Sequence, residues 1–312
     1  MQLTYLKTPA PRHWAMALLL SATAVLGACG KGAPPAEQPE RYAVSIAPLR
    51  GILSPIVGDV PIHVITPAGA SPHTYEPKPS DAQRAAEAVA LFHVDESLDG
   101  WVARLRSPLA IPLLPMVPEA LLLHTGDAEV HTEADGSTHV HHAGAVDPHF
   151  WADPLTVAAM VEPLAERLAE LRPGRATEYR ENAVRFKQEL EALHAEATEI
   201  LAPARGGQVA VFHHAIDYLL HRHDIGVAGA VEPSPGQTAG PRTLHELAEH
   251  LKAEGVKAVF IEPQLPPQSA YAVAEEAHLK VVEIDPNGGV PGRETYRELV
   301  LFNARAVRSA FE

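Results

Sequence analysis

Histidine is the residue type through which this sequence could do chemistry. The chain has 18 histidines. Six of them, His124, His131, His139, His141, His142 and His149, lie in one stretch with Asp127, Glu129, Glu133 and Asp135. Neutral imidazole is the commonest protein ligand for borderline metals such as Zn²⁺. A run this rich in histidine and acid reads as metal-contacting rather than as an ordinary polar loop. It ends in the word Asp147-Pro-His-Phe-Trp151. Three more candidates sit just after short apolar runs: His73 in the loop after Pro61–Thr66, His213 after Gln208–Phe212, and Asp285 after Leu279–Ile284. Three imidazoles and one carboxylate are a sufficient shell for four-coordinate Zn²⁺. Other histidines invite over-reading. His245-Glu-Leu-Ala-Glu-His250 looks like a zinc-protease word, but positions five apart on a helix lie about 140° apart and cannot share one metal.

The elements that must position these residues follow from periodicity. Strands are expected at Tyr42–Ala47, Pro61–Thr66, Val89–Val94 and Ala110–Leu114, alternating with helices at Leu49–Val57, Ser80–Ala88 (Ser80 as its N-cap) and Glu96–Leu105. The His-rich region interrupts this rhythm. Pro154–Leu171 reads as one helix, and Pro173–Ala202 as a second, long enough to span roughly 40 Å. The alternation then resumes, with strands at Gln208–Phe212, Ile225–Ala230, Val256–Ile261 and Leu279–Ile284 and helices at Ala215–His223, Arg242–Glu254, Gln268–His278 and Arg293–Phe311. Strands separated by helices imply βαβ units. The expected fold is α/β: two Rossmann-like lobes, each with a mostly parallel four-stranded sheet, joined by one long rigid helix. In open α/β sheets ligands bind beyond the carboxyl ends of the strands. His73 and His149 come from one lobe and His213 and Asp285 from the other, so they meet only in the cleft between lobes.

Composition narrows the function. The chain has 312 residues, an apolar share of 46% and a formal charge of −14, which leaves no basic face for nucleic acid and suits cations. Lys7 and Arg12 precede the short apolar run Trp14–Val25, which has the length of a secretory leader. That run leads into Leu26-Gly-Ala-Cys29, and Cys29 is the single cysteine. This arrangement resembles a bacterial lipobox, in which the thiol is acylated. Removing residues 1–28, and with them Lys7 and Arg12, shifts the charge from −14 to −16. Residues 29–41, rich in Gly and Pro, read as a tether. The remaining divisions are an N-terminal lobe at 42–172 with its His-rich loop at 124–146, a connecting helix at 173–203, and a C-terminal lobe at 204–312.

Several words along the mature chain are similar to those of the zinc and manganese receptors of ABC transporters, the cluster A-I substrate-binding proteins. They are Ser45-Ile-Ala-Pro-Leu, Gly69-Ala-Ser-Pro-His-Thr-Tyr-Glu-Pro, Asp147-Pro-His-Phe-Trp, Phe212-His-His-Ala-Ile-Asp-Tyr218, Phe260-Ile-Glu-Pro-Gln and Asp285-Pro-Asn-Gly. The resemblance implies one metal ligand from each of His73, His149, His213 and Asp285. Of the doublet, His213 matches the ligand position, and His214 would face the other side of an extended strand. Glu262 stands as a supporting partner, a competing oxygen ligand or a pocket-wall carboxylate, and Glu76 as a supporting residue. His124, His131, His139, His141 and His142 would be weak accessory sites.

The function implied is an extracytoplasmic, lipid-anchored, monomeric receptor. It captures Zn²⁺ and delivers it to a membrane permease, with a Mn²⁺ receptor or a metallochaperone of the same fold as the alternative. It would not be an enzyme, because a closed four-ligand shell leaves no position for an activated water. A hydrolytic reading requires an open position and a general base, for which Glu262 is the sole candidate. Three histidine ligands also imply that affinity weakens as pH falls through about 6.5.

Overall fold

The computed structural model describes residues 40–124, 130–132, 138–140, 144–232, 236 and 239–312. The leader, Cys29, His141 and His142 fall outside the described residues. Two four-stranded sheets carry the fold. The first contains β1 (Tyr42–Val44), β2 (Ile62–Val64), β3 (Leu91–His93) and β4 (Ala110–Pro112), in the order β2-β1-β3-β4. The second contains β7 (Gln208–Val211), β8 (Gly226–Ala230), β9 (Ala258–Ile261) and β10 (Lys280–Glu283), in the order β10-β9-β7-β8. Every pair in both sheets is parallel. Counted from its own first strand, each sheet has the same order, 2-1-3-4. The expected α/β class with two Rossmann-like lobes is therefore the observed one. The strands are shorter than the apolar runs that announced them, because the flanking residues leave the ladder to form the turns.

Helices α1 (Ala47–Val57), α2 (Pro79–Glu87) and α3 (Glu96–Asp99) link the strands of the first lobe, and α6 (Asp217–Arg222), α7 (Pro241–Ala253) and α8 (Gln268–Ala277) those of the second. Helix α9 (Tyr296–Ser309) closes the chain behind β10. Three expectations need correction. Ser80 is not an N-cap, since Pro79 already occupies the first turn and the Asp81 carboxylate reaches back to the Lys78 N–H at 2.8 Å. The Glu96–Leu105 helix is one α-turn continued by a 3₁₀ segment, Gly100–Arg104. The His-rich region is not strand-free: β5 (Val130–Thr132) pairs antiparallel with β6 (Thr138–Val140).

The connection between lobes is a helical hairpin. Helix α4 (Pro154–Leu171) turns through the 3₁₀ segment Pro173–Arg175 and is followed by α5 (Ala176–Leu201), against which it packs. Tyr179, Ala183, Phe186, Leu190, Leu193, Ala197 and Leu201 recur at three- and four-residue intervals and are buried, the stripe expected of an amphipathic helix. The largest apolar cluster runs without a break from Tyr42, Val44 and Ile52 through Leu164, Phe186 and Leu190 to Val211, Tyr296 and Val300. Both lobes therefore share one core. At the start of β1, Glu40 accepts hydrogen bonds from Tyr42 at 2.7 Å and Tyr179 at 2.5 Å, tying the first strand to α5.

A buried carboxylate reinforces the junction. Asp153 caps α4 by accepting the N–H groups of Leu155 (3.2 Å) and Thr156 (3.1 Å). The same side chain accepts Nε and Nη2 of Arg222, from α6 of the other lobe, at 2.9 and 2.7 Å. Asp153→Ala removes an N-cap and a charge-assisted pair together. It should lower unfolding stability by about 2–4 kcal/mol, whereas Arg222→Met, which leaves the cap in place, should cost about 1–2 kcal/mol. Chemical denaturation of both variants checks the ranking.

Candidate metal centre

The three histidines picked out by the sequence meet between the lobes. His73 lies in a 3₁₀ turn, Pro72–Thr74, held down by a hydrogen bond from Trp101 Nε1 to the Pro72 carbonyl at 2.8 Å. His149 immediately precedes the 3₁₀ turn Phe150–Ala152 at the entrance to α4. His213 lies two residues beyond β7. Their ring centroids form a nearly equilateral triangle, with sides of 5.3, 5.5 and 5.3 Å. One nitrogen from each ring lies within 4.8 Å of the other two, the single such grouping among the described residues. The Nε2 atoms of His73 and His149 are 3.2 Å apart. Two nitrogens bound tetrahedrally at 2.0–2.1 Å stand about 3.3–3.4 Å apart, so this pair is already at the spacing of a tetrahedral edge.

Carboxylates fix which nitrogen faces inward. Asp147 Oδ1 accepts both the backbone N–H of His149 (2.9 Å) and its ring Nδ1 (2.7 Å). Glu262 Oε1 lies 2.6 Å from Nδ1 of His213. A carboxylate accepts and does not donate, so the proton of each imidazole sits on Nδ1 and the Nε2 lone pair is left for a metal. Nε2 of His213 is buried and has no hydrogen-bond partner. Strand register explains the second pair. Ala210 on β7 is level with Val259 on β9, and continuing that register three residues puts His213 level with Glu262 at neighbouring strand ends.

Burial makes this a site for neutral ligands. His149 and His213 are 4% and 5% exposed. Desolvation, followed by repulsion from His149 and His213, depresses His73 to about 2. Desolvation, with His213 adding to it, holds His149 well below the ordinary histidine range. Burial pushes the Asp147 carboxyl up to about 6, against the opposing hydrogen bond from His149 N–H. Imidazoles with converging lone pairs could hold a divalent cation.

The other expected site residues are placed differently. Asp285, 1% exposed, is not in the three-histidine group. Its Oδ1 accepts Gln264 Nε2 (2.7 Å), Asn287 N (3.0 Å) and Gly288 N (2.9 Å), and Arg293 Nη1 stands 3.2 Å from its Oδ2. Gly288 adopts φ 58°, and a Cβ there would lie 2.7 Å from the Arg293 carbonyl, so the turn that closes on Asp285 requires glycine. Glu76 turns to solvent and pairs with Arg104 at 2.9 Å, 80% exposed, so it supports none of the imidazoles. Glu262 supports His213 by a side-chain hydrogen bond rather than serving as a backbone-bonded wall. His214 turns away to Asp217 at 2.6 Å. His245 pairs with Glu276 and His250 with the Ala228 carbonyl, so neither joins a metal group.

In the His-rich region, His124 Nδ1 bonds to the Gly144 carbonyl at 3.1 Å. His131 and His139 occupy paired positions in the β5–β6 register. Asp147 was not singled out from sequence. Its signal was present in the spacing, since an Asp two residues ahead of a His commonly closes on that residue's backbone N–H. Trp151 went equally unread as a cross-lobe contact: its Nε1 donates to the Pro286 carbonyl at 2.8 Å, and its own carbonyl accepts from Tyr296 at 2.7 Å.

Comparison with known proteins agrees with the fold and with a metal-binding role. The high-affinity zinc uptake system protein ZnuA of Brucella abortus is 27% identical, over 91% of this chain and 94% of its own length. A zinc-bound crystal structure of a ZnuA deletion mutant superposes with a TM-score of 0.70 at 25% identity, covering 87% of this chain and 97% of that one. The substrate-binding protein FpvC of Pseudomonas aeruginosa in complex with Mn²⁺ superposes with a TM-score of 0.72 at 27% identity, covering 88% and 98%. The family described as ZnuA, zinc-uptake complex component A, periplasmic, matches residues 43–310, which is both lobes almost entire, and the chain belongs to that family of metal-binding receptors of ABC transporters.

Proposed function

We propose that this protein captures Zn²⁺ outside the cytoplasm with His73, His149 and His213 and hands it to an ABC permease. The observation that carries the reading is the convergence of three imidazoles, one half-buried and two buried, the buried two held by carboxylates on Nδ1 so that Nε2 faces the cation. Nitrogen-rich ligation favours Zn²⁺ over Mn²⁺ on the usual affinity order. Asp285 serves as the fourth ligand once the charge of the cation takes the place of Arg293 beside it. With the shell closed, the site captures without catalysing.

Residues 1–28 act as a lipoprotein leader, Cys29 carries the lipid, and residues 29–41 tether the lobes at 42–172 and 204–312, joined through 173–203. Among the described residues no helix is long and apolar enough to cross a membrane. The region at 124–146 collects zinc weakly. Deleting Glu129–His142 should keep the tight site and reduce only the number of weakly held ions, as equilibrium dialysis would show.

Isothermal titration of the mature chain tests the main reading. One Zn²⁺ per chain should bind tightly, with Mn²⁺ weaker. His149→Ala or His213→Ala should weaken zinc at least about a hundredfold, more than the 10–100-fold typical of losing a partner that only supports a ligand. Tighter Mn²⁺ than Zn²⁺ overturns the assignment.

The pH dependence differs from the sequence expectation. With His73 near 2 and His149 well depressed, protons compete at these two ligands only below the ordinary histidine range, not through 6.5. The cost moves to folding. Below about 6.5 the unfolded chain takes up protons that the folded, metal-free chain refuses. Stability is therefore full above 6.5 and falls as pH drops towards the folded-state values. The two depressed histidines should cost the metal-free protein about 2–4 kcal/mol between pH 7 and pH 5, offset by about 1 kcal/mol from Asp147, whose raised carboxyl takes up a proton in the same window. Denaturant unfolding reads the net loss, and His73→Asn should flatten the slope.

A further inference from the structure

The two ends of the His-rich insertion are joined at its base by a tyrosine from the opposite lobe. The Tyr218 hydroxyl, on α6, donates to the Asp147 carbonyl at 2.8 Å and accepts the N–H of Leu123 at 3.1 Å. Leu123 and Asp147 also bond directly, Asp147 N–H to the Leu123 carbonyl at 2.8 Å. Beyond them, His124 and Val146 form the first bridge of the insertion. Asp147 is also the residue whose carboxylate fixes His149. Tyr218 lies five residues after His213, on the segment that leads from that ligand into α6. One hydroxyl therefore links the C-terminal-lobe ligand segment to the support of an N-terminal-lobe ligand.

We propose that Tyr218 is a positioning residue of the metal centre. It sets the separation of His149 and His213 through the Asp147 backbone and keeps that separation independent of the 23-residue insertion at 124–146. The inference rests on the zinc-capture reading above. Without the clasp, Asp147 would be the C-terminal root of a long excursion, and any movement of that excursion would pass through one peptide, Pro148, to the ligand. With it, the Asp147 carbonyl, the Asp147 N–H and the Leu123 N–H are all satisfied at the base, and the insertion hangs from a closed ring of hydrogen bonds. Tyr218 is 3% exposed. Burial, partly offset by the hydrogen bond from Leu123, with the nearby Asp147 adding to burial, raises its hydroxyl well above the ordinary tyrosine range. It therefore acts as a neutral donor and acceptor throughout the pH range in which zinc binds. Partners of this kind typically contribute 10–100-fold to metal affinity.

Tyr218→Phe removes a single oxygen from the full-length protein. The Zn²⁺ dissociation constant should rise about tenfold, and the visible absorption of the Co²⁺-substituted protein should change in shape, since the His149–His213 geometry is relaxed. Tyr179→Phe, which removes a hydroxyl that serves Glu40 rather than the site, should change neither. A Tyr218→Phe protein with wild-type zinc affinity and an unaltered Co²⁺ spectrum overturns the proposal, even if its thermal midpoint falls. A second measurement needs no variant. In the wild-type chain the amides of Leu123 and Asp147, neither of them a ligand, should exchange more slowly with deuterium once Zn²⁺ is bound. Exchange unaltered by saturating zinc also overturns the proposal. A wild-type chain that takes up no zinc overturns both this inference and the reading beneath it. Tight wild-type binding matched by Tyr218→Phe overturns this one alone.

Discussion

Three imidazoles held out of water with their lone pairs turned towards one another form an arrangement that nothing local stabilises. Each ring has lost solvent, and Nε2 of His213 has no hydrogen-bond partner. Left to themselves the rings would rotate to find water or protons. The carboxylates of Asp147 and Glu262 prevent this by occupying the Nδ1 positions of two rings. Those carboxylates are themselves buried, so each needs a rigid mount. The rest of the molecule can be read as the supply of those mounts.

Glu262 and His213 are mounted by strand register, because parallel neighbours β9 and β7 end level with each other and the two side chains leave together. Asp147 is mounted by the ring that Leu123 and Tyr218 close around it. The lobes in turn are fixed relative to each other by a shared apolar core along α4, α5 and α9. The Asp153–Arg222 pair and the hydrogen bond from Trp151 to the Pro286 carbonyl add to this. A site assembled from both sides of a cleft keeps the His213 ring 5.3 and 5.5 Å from those of His149 and His73 only if the two sides do not drift, and this junction is built from packed helices rather than flexible strands.

Much of this was legible in the sequence because it follows from period and position. Alternating strands and helices gave the two parallel sheets, and His73 and His213 declared themselves by following strands in a fold whose ligands bind at strand ends. His149 was marked by the Asp-Pro-His word. Asp285 follows a strand as well, but its surroundings were not legible. A carboxylate after a strand can face a ligand, or it can close a turn, and here it gathers the N–H groups of Asn287 and Gly288 with Gln264 and Arg293. Gln264 and Arg293 reach it only through tertiary structure. Glu76 looked like a supporting residue because it lies three places after His73, yet the chain turns it outward to Arg104. The Tyr218 clasp joins positions separated by 95 and 71 residues, and no local pattern predicts it.

Charge explains why the centre suits a divalent ion in particular. Imidazoles bind a metal in their neutral form, so they contribute donors and no charge. The formal charges that surround them are those of Asp147, Glu262 and Asp285, offset by Arg293. Asp285 is paired with Arg293, so the carboxylates behind the imidazoles, Asp147 and Glu262, are the two negative charges that one divalent cation balances. A monovalent ion would leave a buried negative charge unmatched, and a trivalent one a positive charge. At low dielectric either imbalance is expensive. Asp147 and Glu262 stand one imidazole away from the cation, so they offset its charge while three of its contacts stay nitrogen, the donor type that favours zinc over manganese. Selection by donor type and selection by charge are thus assigned to different residues, and the hydrogen bonds on Nδ1 of His149 and His213 connect the two.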